Sequence, residues 1–256
     1  MAFDTLGQRI KKNYECRFKT SLMRRTPVAI RLDGKAFHSF TRGMNKPFDD
    51  LLIKAMQQTT RALCENVQGC VLGYTQSDEI TLILQDYKTL NAEAWFDYEV
   101  QKMCSISASL CTYYFSQFLK QEIEGYIKEK ESDCYITNLK RKLSTPAFFD
   151  SRCFNVPKEE VTNMLYWRQA DATRNSIQMV GQANFSQKEL QNKSCNMIQE
   201  MLLTQKNINW NDLPIFKKRG TAIIKNSEGK WFVDENMPQL INEDRDYVEK
   251  LINFDL

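Results

Sequence analysis

Four strand patterns and two helix patterns alternate along residues 27–156, and their order limits the fold more than any other feature of the chain. Residues 27–33 place an apolar side chain at every second position, which is the period of a strand with one buried face. Residues 48–67 carry apolar side chains at helical spacing, after two aspartates that favour a helix start. We therefore predict that the core begins with a strand followed by a helix.

The rest of this region predicts a hairpin, a second helix and a last strand. Residues 70–75 and 80–84 are apolar β-rich runs joined by the polar residues 76–79, a pattern typical of a β-hairpin. Residues 93–120 contain neither glycine nor proline and predict a long helix, and residues 148–156 predict a fourth strand. The order β-α-β-β-α-β is the split βαβ, ferredoxin-like arrangement. We predict an α+β fold with an antiparallel sheet and two helices on one of its faces.

A mainly helical extension follows. Residues 158–182 and 187–205 have helical patterns with a break near Gly181. Residues 220–225 predict one added strand.

No repeat, low-complexity tract or proline-rich linker separates residues 1–156 from residues 157–256. We therefore predict that the core and the extension pack as one unit. Within the core, residues 123–145 are charged and weakly periodic, which indicates a helix end followed by a mobile loop.

Composition excludes several classes of protein and site. No apolar run approaches the roughly 18 residues of a membrane helix, and the first 20 residues are too charged for a secretory signal, so a cytoplasmic protein that does not enter membranes is expected. The eight cysteines form no C-x-x-C pair and are expected to be reduced. His38 is the only histidine, which argues against a zinc site and against a histidine-based triad elsewhere. Carboxylates are the more plausible chemical groups.

Charge is unevenly distributed although the net charge is only +3. Basic residues dominate positions 1–31, and acidic residues dominate the last thirty positions. Two basic clusters, residues 140–142 and 217–219, could line a phosphate backbone or be ordinary solvated surface.

Two aspartates are candidate metal ligands. Asp33 ends the first predicted strand and precedes Gly34, and Asp78 lies at the predicted hairpin tip. In this order of elements the tip can lie beside the end of the first strand, so the two carboxylates would converge. Hard oxygen ligands of this kind suit Mg²⁺ that also binds substrate phosphates. The alternative is that Asp-Gly and Ser-Asp-Glu are merely common turn sequences.

Five segments, in the same order along the chain, resemble the tRNA(His) guanylyltransferase family of 3′-to-5′ nucleotide-adding polymerases. They are RLDGKAFHSF (31–40), NKP (45–47), YTQSDE (74–79), WRQAD (167–171) and KRGT (218–221). The eukaryotic members carry His-Ile-Asn-Asn after the fourth segment, whereas this chain has Thr-Arg-Asn-Ser at 173–176. The chain therefore looks more like the bacterial and archaeal guanylyltransferase-like members. The resemblance covers residues 6–225.

The resemblance implies a polymerase-like palm, two Mg²⁺ ions, and ATP, GTP and other nucleoside triphosphates as substrates. The implied metal ligands are Asp33, the Gly34 carbonyl and Asp78, and the implied catalytic carboxylates are Asp33, Asp78 and the adjacent Glu79. The implied nucleotide-binding residues are Asp33, Gly34, Lys35, Ala36, Phe37, His38, Ser77 and Asp78. Residues implied to hold the activating nucleotide or the 5′-phosphate are Arg31, Lys46, Lys102 and Asn175. Candidate tRNA contacts are Arg168, Arg174, Lys217, Lys218 and Arg219.

His38 has two interpretations. The motif implies a contact with the triphosphate, whereas its neighbours Phe37 and Phe40 suggest a histidine packed between aromatic rings.

The function implied by the resemblance is template-directed repair of a tRNA 5′ end, in which ATP activates the end and nucleotides are added in the 3′-to-5′ direction. One alternative is the tRNA(His) guanylyltransferase activity, which adds an extra guanosine at position −1. Another is a tRNA-binding chaperone without catalysis. The resemblance also implies a homotetramer.

Overall fold

The computed structural model describes residues 5–130 and 134–253. Its described strands form one six-stranded sheet in the order β4-β1-β3-β2-β5-β6, with antiparallel pairing throughout. The strands are β1 Val28–Gly34, β2 Cys70–Gln76, β3 Glu79–Leu84, β4 Phe149–Asn155, β5 Thr221–Lys225 and β6 Trp231–Asp234. The predicted α+β fold with an antiparallel sheet is confirmed.

The helices surround this sheet. They are α1 Leu6–Asn13, α2 Phe37–Phe40, α3 Asp50–Asn66, α4 Val100–Glu129, α5 Cys134–Lys142, α6 Lys158–Asn184, α7 Gln187–Leu190, α8 Cys195–Lys206, α9 Ile215–Arg219 and α10 Asp246–Ile252. None of the described helices is long and apolar enough to cross a membrane.

The alternation in β1 separates the two faces of the sheet, since successive side chains of a strand point to opposite sides. Val28, Ile30 and Leu32 belong to the core that includes α3 and α4. Ala29 belongs instead to a second core formed with α6 and α10. The helical extension thus covers the face of the sheet that α3 and α4 leave open, and β5 joins the same sheet beside β2.

The structure corrects three of the sequence expectations about helices, in whole or in part. Within residues 123–145 the predicted helix end is present, since α4 ends at Glu129, but the predicted loop is wrong, because residues 134–142 form α5, which buries Ile136 and Leu139. Ile136 and Leu139 are three positions apart and have charged neighbours. A helix of nine residues contains too few apolar positions to show a clear helical period in the sequence. Residues 131–133 of this region lie outside the described residues.

The other two corrections concern helix ends. α4 begins at Val100 rather than near residue 93, because Phe96, Asp97 and Tyr98 have φ values of 50°, 52° and 54°. The predicted break after residues 158–182 is present but lies at Phe185, because α6 continues through Gly181 to Asn184. A side-chain Cβ at Gly181 would come within 2.8 Å of Ile198. This glycine allows a close approach to α8 and does not break the helix. β6 and α10 were not predicted.

Candidate active site

The end of β1 and the β2–β3 turn meet at one edge of the sheet. Asp33 pairs with Glu79 of β3 in the antiparallel register, and the backbone N–H of Gly34 donates to the carbonyl oxygen of Asp78 at 3.2 Å. The turn consists of Ser77 and Asp78 alone, since β2 and β3 extend further than predicted. The structure therefore brings Asp33 and Asp78 together at the edge, as the order of elements suggested.

Ser77 shapes this turn. Its φ of 51° is left-handed, and its hydroxyl donates to Asp78 Oδ1 at 3.0 Å. Burial raises the pKa of Asp78, the Ser77 hydrogen bond opposes that rise, and the charge of Asp33 adds to it. A carboxylate whose ionised form is disfavoured beside another carboxylate would be stabilised by a bound cation.

The donor set fits Mg²⁺. No group of three or more His, Cys, Asp or Glu side chains within residues 5–130 and 134–253 is arranged to hold a metal ion. Two carboxylates and a backbone carbonyl would leave coordination positions for water and phosphate oxygens, which is how Mg²⁺ is usually bound. Residues Asp33, Gly34 and Asp78 supply such oxygens at one place.

Gly34 is also required by packing. A Cβ at this position would lie 2.2 Å from the Phe37 ring. Phe37 itself is buried against Phe115 and Phe149, with ring centroids 5.5 and 5.1 Å away. The ring therefore anchors the segment that follows β1 to the core.

This anchoring leaves the polar residues around Phe37 exposed. The Lys35 backbone N–H donates to the carbonyl oxygen of Phe148 at 2.8 Å, and Ala36 turns the chain with φ 55° and ψ 36°. Lys35, Ala36 and His38 are exposed, so His38 is not packed between the two phenylalanines. Three predicted nucleotide-binding residues thus face solvent beside Asp33, while Phe37 supports them from below.

Glu79 lies in an internal ion pair. Arg168 of α6 donates from Nε to Glu79 Oε1 at 2.8 Å and from Nη2 to Oε2 at 2.7 Å. Burial lowers the pKa of Arg168, but the hydrogen bond and charge of Glu79, with the charge of Asp171, leave that pKa above its ordinary value. Arg168 is only 8% exposed. At this position Arg168 is not exposed for a contact with tRNA. Its two hydrogen bonds occupy the carboxylate of Glu79.

Arg31 has unused hydrogen-bonding capacity. Its Nε and Nη2 are buried and have no hydrogen-bond partner among the described residues. The guanidinium lies 3.7 Å from Glu79 and 5.3 Å from the Trp167 ring, and burial lowers its pKa. Since buried donors without partners are costly, an anionic ligand here would satisfy them.

Asp171 connects α6 to this network. It accepts from Arg168 at 3.0 Å, from Arg174 at 2.5 Å and from Asn175 at 3.3 Å. Although burial opposes it, the Arg174 hydrogen bond and the charges of both arginines lower the pKa of Asp171. Asp171 was not singled out from the sequence, although it lies in the WRQAD segment.

A cleft opens beside the turn. Its lining includes Ser77, Asn175, Phe48 and Lys217, with further apolar side chains from α3 and α6. Asn175, predicted to hold the activating nucleotide or the 5′-phosphate, therefore lies close to Ser77. Arg174, directly before Asn175 in α6, is exposed.

The three basic residues 217–219 have different surroundings. Lys217 pairs with Asp50 at 2.6 Å at the cleft. Lys218 is buried and donates to the carbonyl oxygen of Asn211 at 2.6 Å. The carbonyl oxygen of Arg219 accepts from the Tyr74 hydroxyl at 2.5 Å. Only Lys217 of this cluster lines the cleft.

One of two predicted lysines lies apart from the carboxylates. Lys102 lies near the start of α4, 3.6 Å from Glu99. The hydroxyl of Thr112, ten residues further along, accepts from the Phe149 N–H beside the end of β1. Ten helical residues span about 15 Å, so the structure does not bring Lys102 to Asp33. Lys46 is exposed on the loop before α3.

Asp150 and Arg152 of β4 were also missed. They stand opposite Asp33 and Arg31 in the β1–β4 register and are exposed, with Arg152 Nη2 3.1 Å from Asp150 Oδ1. In β1 an arginine precedes an aspartate by two residues (RLD, 31–33), and in β4 an aspartate precedes an arginine by two residues (DSR, 150–152). Antiparallel pairing of these two segments places like residues opposite each other, and this reversed order was the signal in the sequence.

Comparison with known proteins identifies the family that the chain resembles. The family model described as tRNAHis guanylyltransferase matches residues 8–157. A protein of Dictyostelium discoideum named a probable tRNA(His) guanylyltransferase is 30% identical over 80% of this chain and 77% of its own length. The tRNA(His) guanylyltransferase of Saccharomyces cerevisiae is 26% identical over 78% of this chain and 83% of its own length.

Solved structures extend the similarity to almost the whole chain. A bacterial tRNA(His) guanylyltransferase-like protein in complex with ATP has a TM-score of 0.86 and 39% identity, over 98% of this chain and 100% of that one. Another such structure, in complex with GTP, has a TM-score of 0.77 and 34% identity, over 98% and 100% of the two chains. The chain therefore belongs to the tRNAHis guanylyltransferase family of nucleotidyltransferases.

Proposed function

We propose that this nucleotidyltransferase activates the 5′-monophosphate of a tRNA with ATP and then adds nucleotides in the 3′-to-5′ direction, templated by the opposite acceptor strand. The observation that carries this proposal is the meeting of Asp33 and Asp78 at one sheet edge, beside the exposed Lys35 and His38. The bacterial structures with ATP and with GTP support nucleoside triphosphates as substrates.

The first reaction forms an activated tRNA. An oxygen of the tRNA 5′-phosphate attacks the α-phosphorus of ATP, and pyrophosphate leaves. In the second reaction the 3′-hydroxyl of the incoming nucleotide attacks the activated 5′-phosphorus, and AMP leaves. Both are phosphoryl-group transfers, which depend on positioning and charge neutralisation rather than on a protein nucleophile.

The metal would be held by Asp33, the Gly34 carbonyl and Asp78. Two Mg²⁺ ions bound there would neutralise phosphate charge and favour the ionised form of the attacking hydroxyl. Lys35, Ala36, His38 and Ser77 surround this place and would hold the triphosphate, with Phe37 fixing their backbone.

The chain's own cations would orient the anionic ends of the substrates. Arg31 offers two unpartnered N–H groups to the 5′-phosphate or the activating nucleotide. Asn175 lines the cleft beside Ser77, and exposed Arg174 would contact the tRNA. In this proposal Arg168 has a positioning role, because its donors are occupied by Glu79 and Asp171. Exposed Lys46, two residues before Phe48 of the cleft, would contact the activating nucleotide or the 5′-phosphate, whereas Lys102 would contact a bound tRNA away from Asp33.

We also propose that the protein works as a homotetramer on tRNA. The size of tRNA supports this, because an acceptor stem seated on one subunit leaves the rest of the molecule to be held by others.

The residues that replace His-Ile-Asn-Asn favour templated repair over addition of guanosine at position −1. Thr173 and Arg174 stand where the resemblance places histidine and isoleucine, and Arg174 is tied to Asp171. A positively charged exposed side chain suits contact with backbone phosphates, which carry no sequence information.

The test is a 5′-end extension assay on a tRNA that lacks its first nucleotide, with ATP, each of the four nucleoside triphosphates and Mg²⁺. Incorporation of only the nucleotide that pairs with the opposite base is expected. Addition of guanosine whatever the opposite base would establish the −1 activity instead. Binding without incorporation would leave the chaperone reading.

Two variants make the assay specific to the site. Asp78→Asn should abolish extension while the protein stays folded. Glu65→Gln is the matched control, because Glu65 is an exposed carboxylate on α3 whose partner is Arg61 at 3.0 Å. Full activity of Asp78→Asn would remove Asp78 from the metal site.

A further inference from the structure

The first described residues form an arm that is exposed along its entire length. Every residue from 5 to 21 is exposed, and we call residues 5–18 the N-terminal arm. Its helix α1 begins with a capping box between Thr5 and Gln8. The sequence therefore specifies a helix start at a place where the described residues bury no part of the helix.

The arm carries apolar side chains that repeat every four residues. Leu6, Ile10, Tyr14 and Phe18 are 65%, 45%, 64% and 77% exposed. A helix of eight residues is marginal in water by itself and normally gains its stability by packing an apolar face. Leu6 and Ile10 lie on α1, whereas Tyr14 follows its end and Phe18 ends a short 3₁₀ helix at Glu15–Phe18, so the four side chains do not form one helical stripe. Exposed apolar side chains in such number are nevertheless suited to a protein surface that covers them.

The arm is attached at the end of the sheet opposite the candidate active site. The Thr20 carbonyl oxygen accepts from Val100 N–H at 2.9 Å, and the Leu22 N–H donates to the carbonyl oxygen of Tyr98 at 3.0 Å. Arg24 then pairs with Asp86, just after the end of β3. Asp33 lies at the other end of β1.

An acidic surface lies at the same end of the sheet. We call residues 242–250 the acidic segment, in which Glu243, Asp244 and Asp246 are exposed. Asp246 pairs with Lys250 and Glu249 with Arg245 inside the segment, so Glu243 and Asp244 are its unpaired acids among the described residues. It leads into Ile252, whose carbonyl oxygen accepts from Tyr87 beside Asp86. Ile241, which precedes the segment, is 37% exposed and adds an apolar contact.

The arm and the acidic segment have complementary charges. The basic residues of the arm are Arg9, Lys11, Lys12 and Arg17, against Glu15 alone. None of these four cations, and neither Glu243 nor Asp244, has an ion pair in the part of the chain that the structure describes. The two surfaces do not pair within one chain, although they lie at the same end of it.

We infer that the N-terminal arm docks on the acidic segment of a second copy of this chain, and that the second copy's arm docks reciprocally on the first. Because the arm and the acidic segment lie at the same end of each subunit, two subunits can meet about a two-fold axis. Each arm then contacts the acidic segment of the other subunit. The inference rests on the proposed assembly of several copies. The contact leaves the Asp33 and Asp78 edges of both copies pointing away from it and open to tRNA.

RNA is a less suitable occupant. It would use the four cations but leave the apolar side chains of Leu6, Ile10, Tyr14 and Phe18 in water. A partner with both acidic and apolar groups satisfies both halves of the arm.

The test measures the mass of the full chain by sedimentation equilibrium. The unmodified protein should be a dimer or a multiple of one. Ile10→Ser with Phe18→Ser, and separately Lys11→Glu with Lys12→Glu, should each halve the mass. Adding Glu243→Lys with Asp244→Lys to the second variant should restore the original mass, since the charges are then exchanged. Circular dichroism would check that each variant remains folded.

A monomeric unmodified protein, or arm variants of unchanged mass, would overturn the inference. Loss of tRNA binding at unchanged mass would assign the arm to RNA and also overturn it. Pyrophosphate release from ATP and a 5′-monophosphorylated tRNA is measured in parallel. Since the arm lies far from Asp33, an inactive protein whose mass follows the charge exchange would contradict the proposed function and leave this contact standing.

Discussion

Arg168 and Glu79 form a two-point ion pair that joins α6 to the hairpin carrying Asp78. The pair uses two hydrogen bonds of 2.8 and 2.7 Å, and the Arg168 and Glu79 side chains are 9% and 12% exposed. It fixes β3, the strand that follows the turn at Ser77 and Asp78, against the helical extension. It also neutralises one of the carboxylates that crowd this edge of the sheet.

Removing Arg168 alone should be costly. We expect Arg168→Met to lower the free energy of unfolding by about 3–5 kcal/mol, because Glu79 would remain buried without its partner. Arg168→Met with Glu79→Leu should recover only part of that loss, because the unpaired carboxylate is gone but Arg31 loses its ion pair with Glu79 at 3.7 Å. Urea unfolding measures both. Arg174→Met, at an exposed arginine bound to the same Asp171, is the control and should cost less than about 1 kcal/mol. Equal losses from the single and double variants would contradict this account.

Gly34 and Gly125 offer a contrast between a constrained and an unconstrained glycine. Gly34→Ala would place a Cβ 2.2 Å from the Phe37 ring, so β1 and the following segment must shift. We expect loss of nucleotide addition and of stability. A Cβ added at Gly125 would meet no atom within 4 Å, and Gly125 lies inside α4. Gly125→Ala should therefore stabilise the protein by about 0.5–1 kcal/mol, and the enzyme should keep its activity. Thermal unfolding and the extension assay measure both, and an active Gly34→Ala protein would show that the segment adapts.

The sequence predicted that Asp33 and Asp78 would meet at one edge of the sheet, because that meeting depends on local patterns. The alternation of Val28, Ile30 and Leu32 places Asp33 at a strand end, and the hairpin places Asp78 beside it. The surroundings depend on long-range packing that the patterns do not contain. Glu79 follows Asp78 directly, yet its carboxylate is taken by Arg168, 89 residues away.

Lys102 shows the same limit at another element. Its predicted helix starts too early, since nothing in the local sequence reveals the left-handed residues 96–98. The distance from Lys102 to the end of β1 depends on how α4 packs against β4. Only the folded structure shows this packing. The resemblance named the family correctly but could not show which of its implied contacts are buried here, as Lys218 illustrates.

Arg31 should act on substrate binding rather than on stability. Its Nε and Nη2 make no hydrogen bond among the described residues, so Arg31→Met removes from the folded chain only the 3.7 Å ion pair with Glu79 and the contacts with aromatic rings such as that of Trp167. A charge-assisted hydrogen bond to a phosphate is worth about 1.5–3 kcal/mol, which predicts a loss of about 10- to 100-fold in kcat/KM for extension. Arg61→Met on exposed α3 is the control. An Arg31→Met protein with normal kcat/KM and reduced stability would make Arg31 structural.

The ionised Asp78 carboxylate should lower the stability of the folded chain, by an amount that depends on pH. Burial raises its pKa, and the charge of Asp33 adds to this. A carboxyl with a raised pKa favours the folded chain below its ordinary pKa of 3.8 and loses that contribution as the pH rises through the raised value. At pH 7 without divalent cations, Asp78→Asn should therefore be more stable than the unmodified protein, and the difference should disappear toward pH 3. Adding Mg²⁺ should raise the Tm of the unmodified protein and leave that of Asp78→Asn unchanged, because the cation removes the repulsion only where both carboxylates are present. Calorimetry across pH, with and without Mg²⁺, measures these differences, and a less stable Asp78→Asn at pH 7 would show that its carboxylate already has a favourable partner.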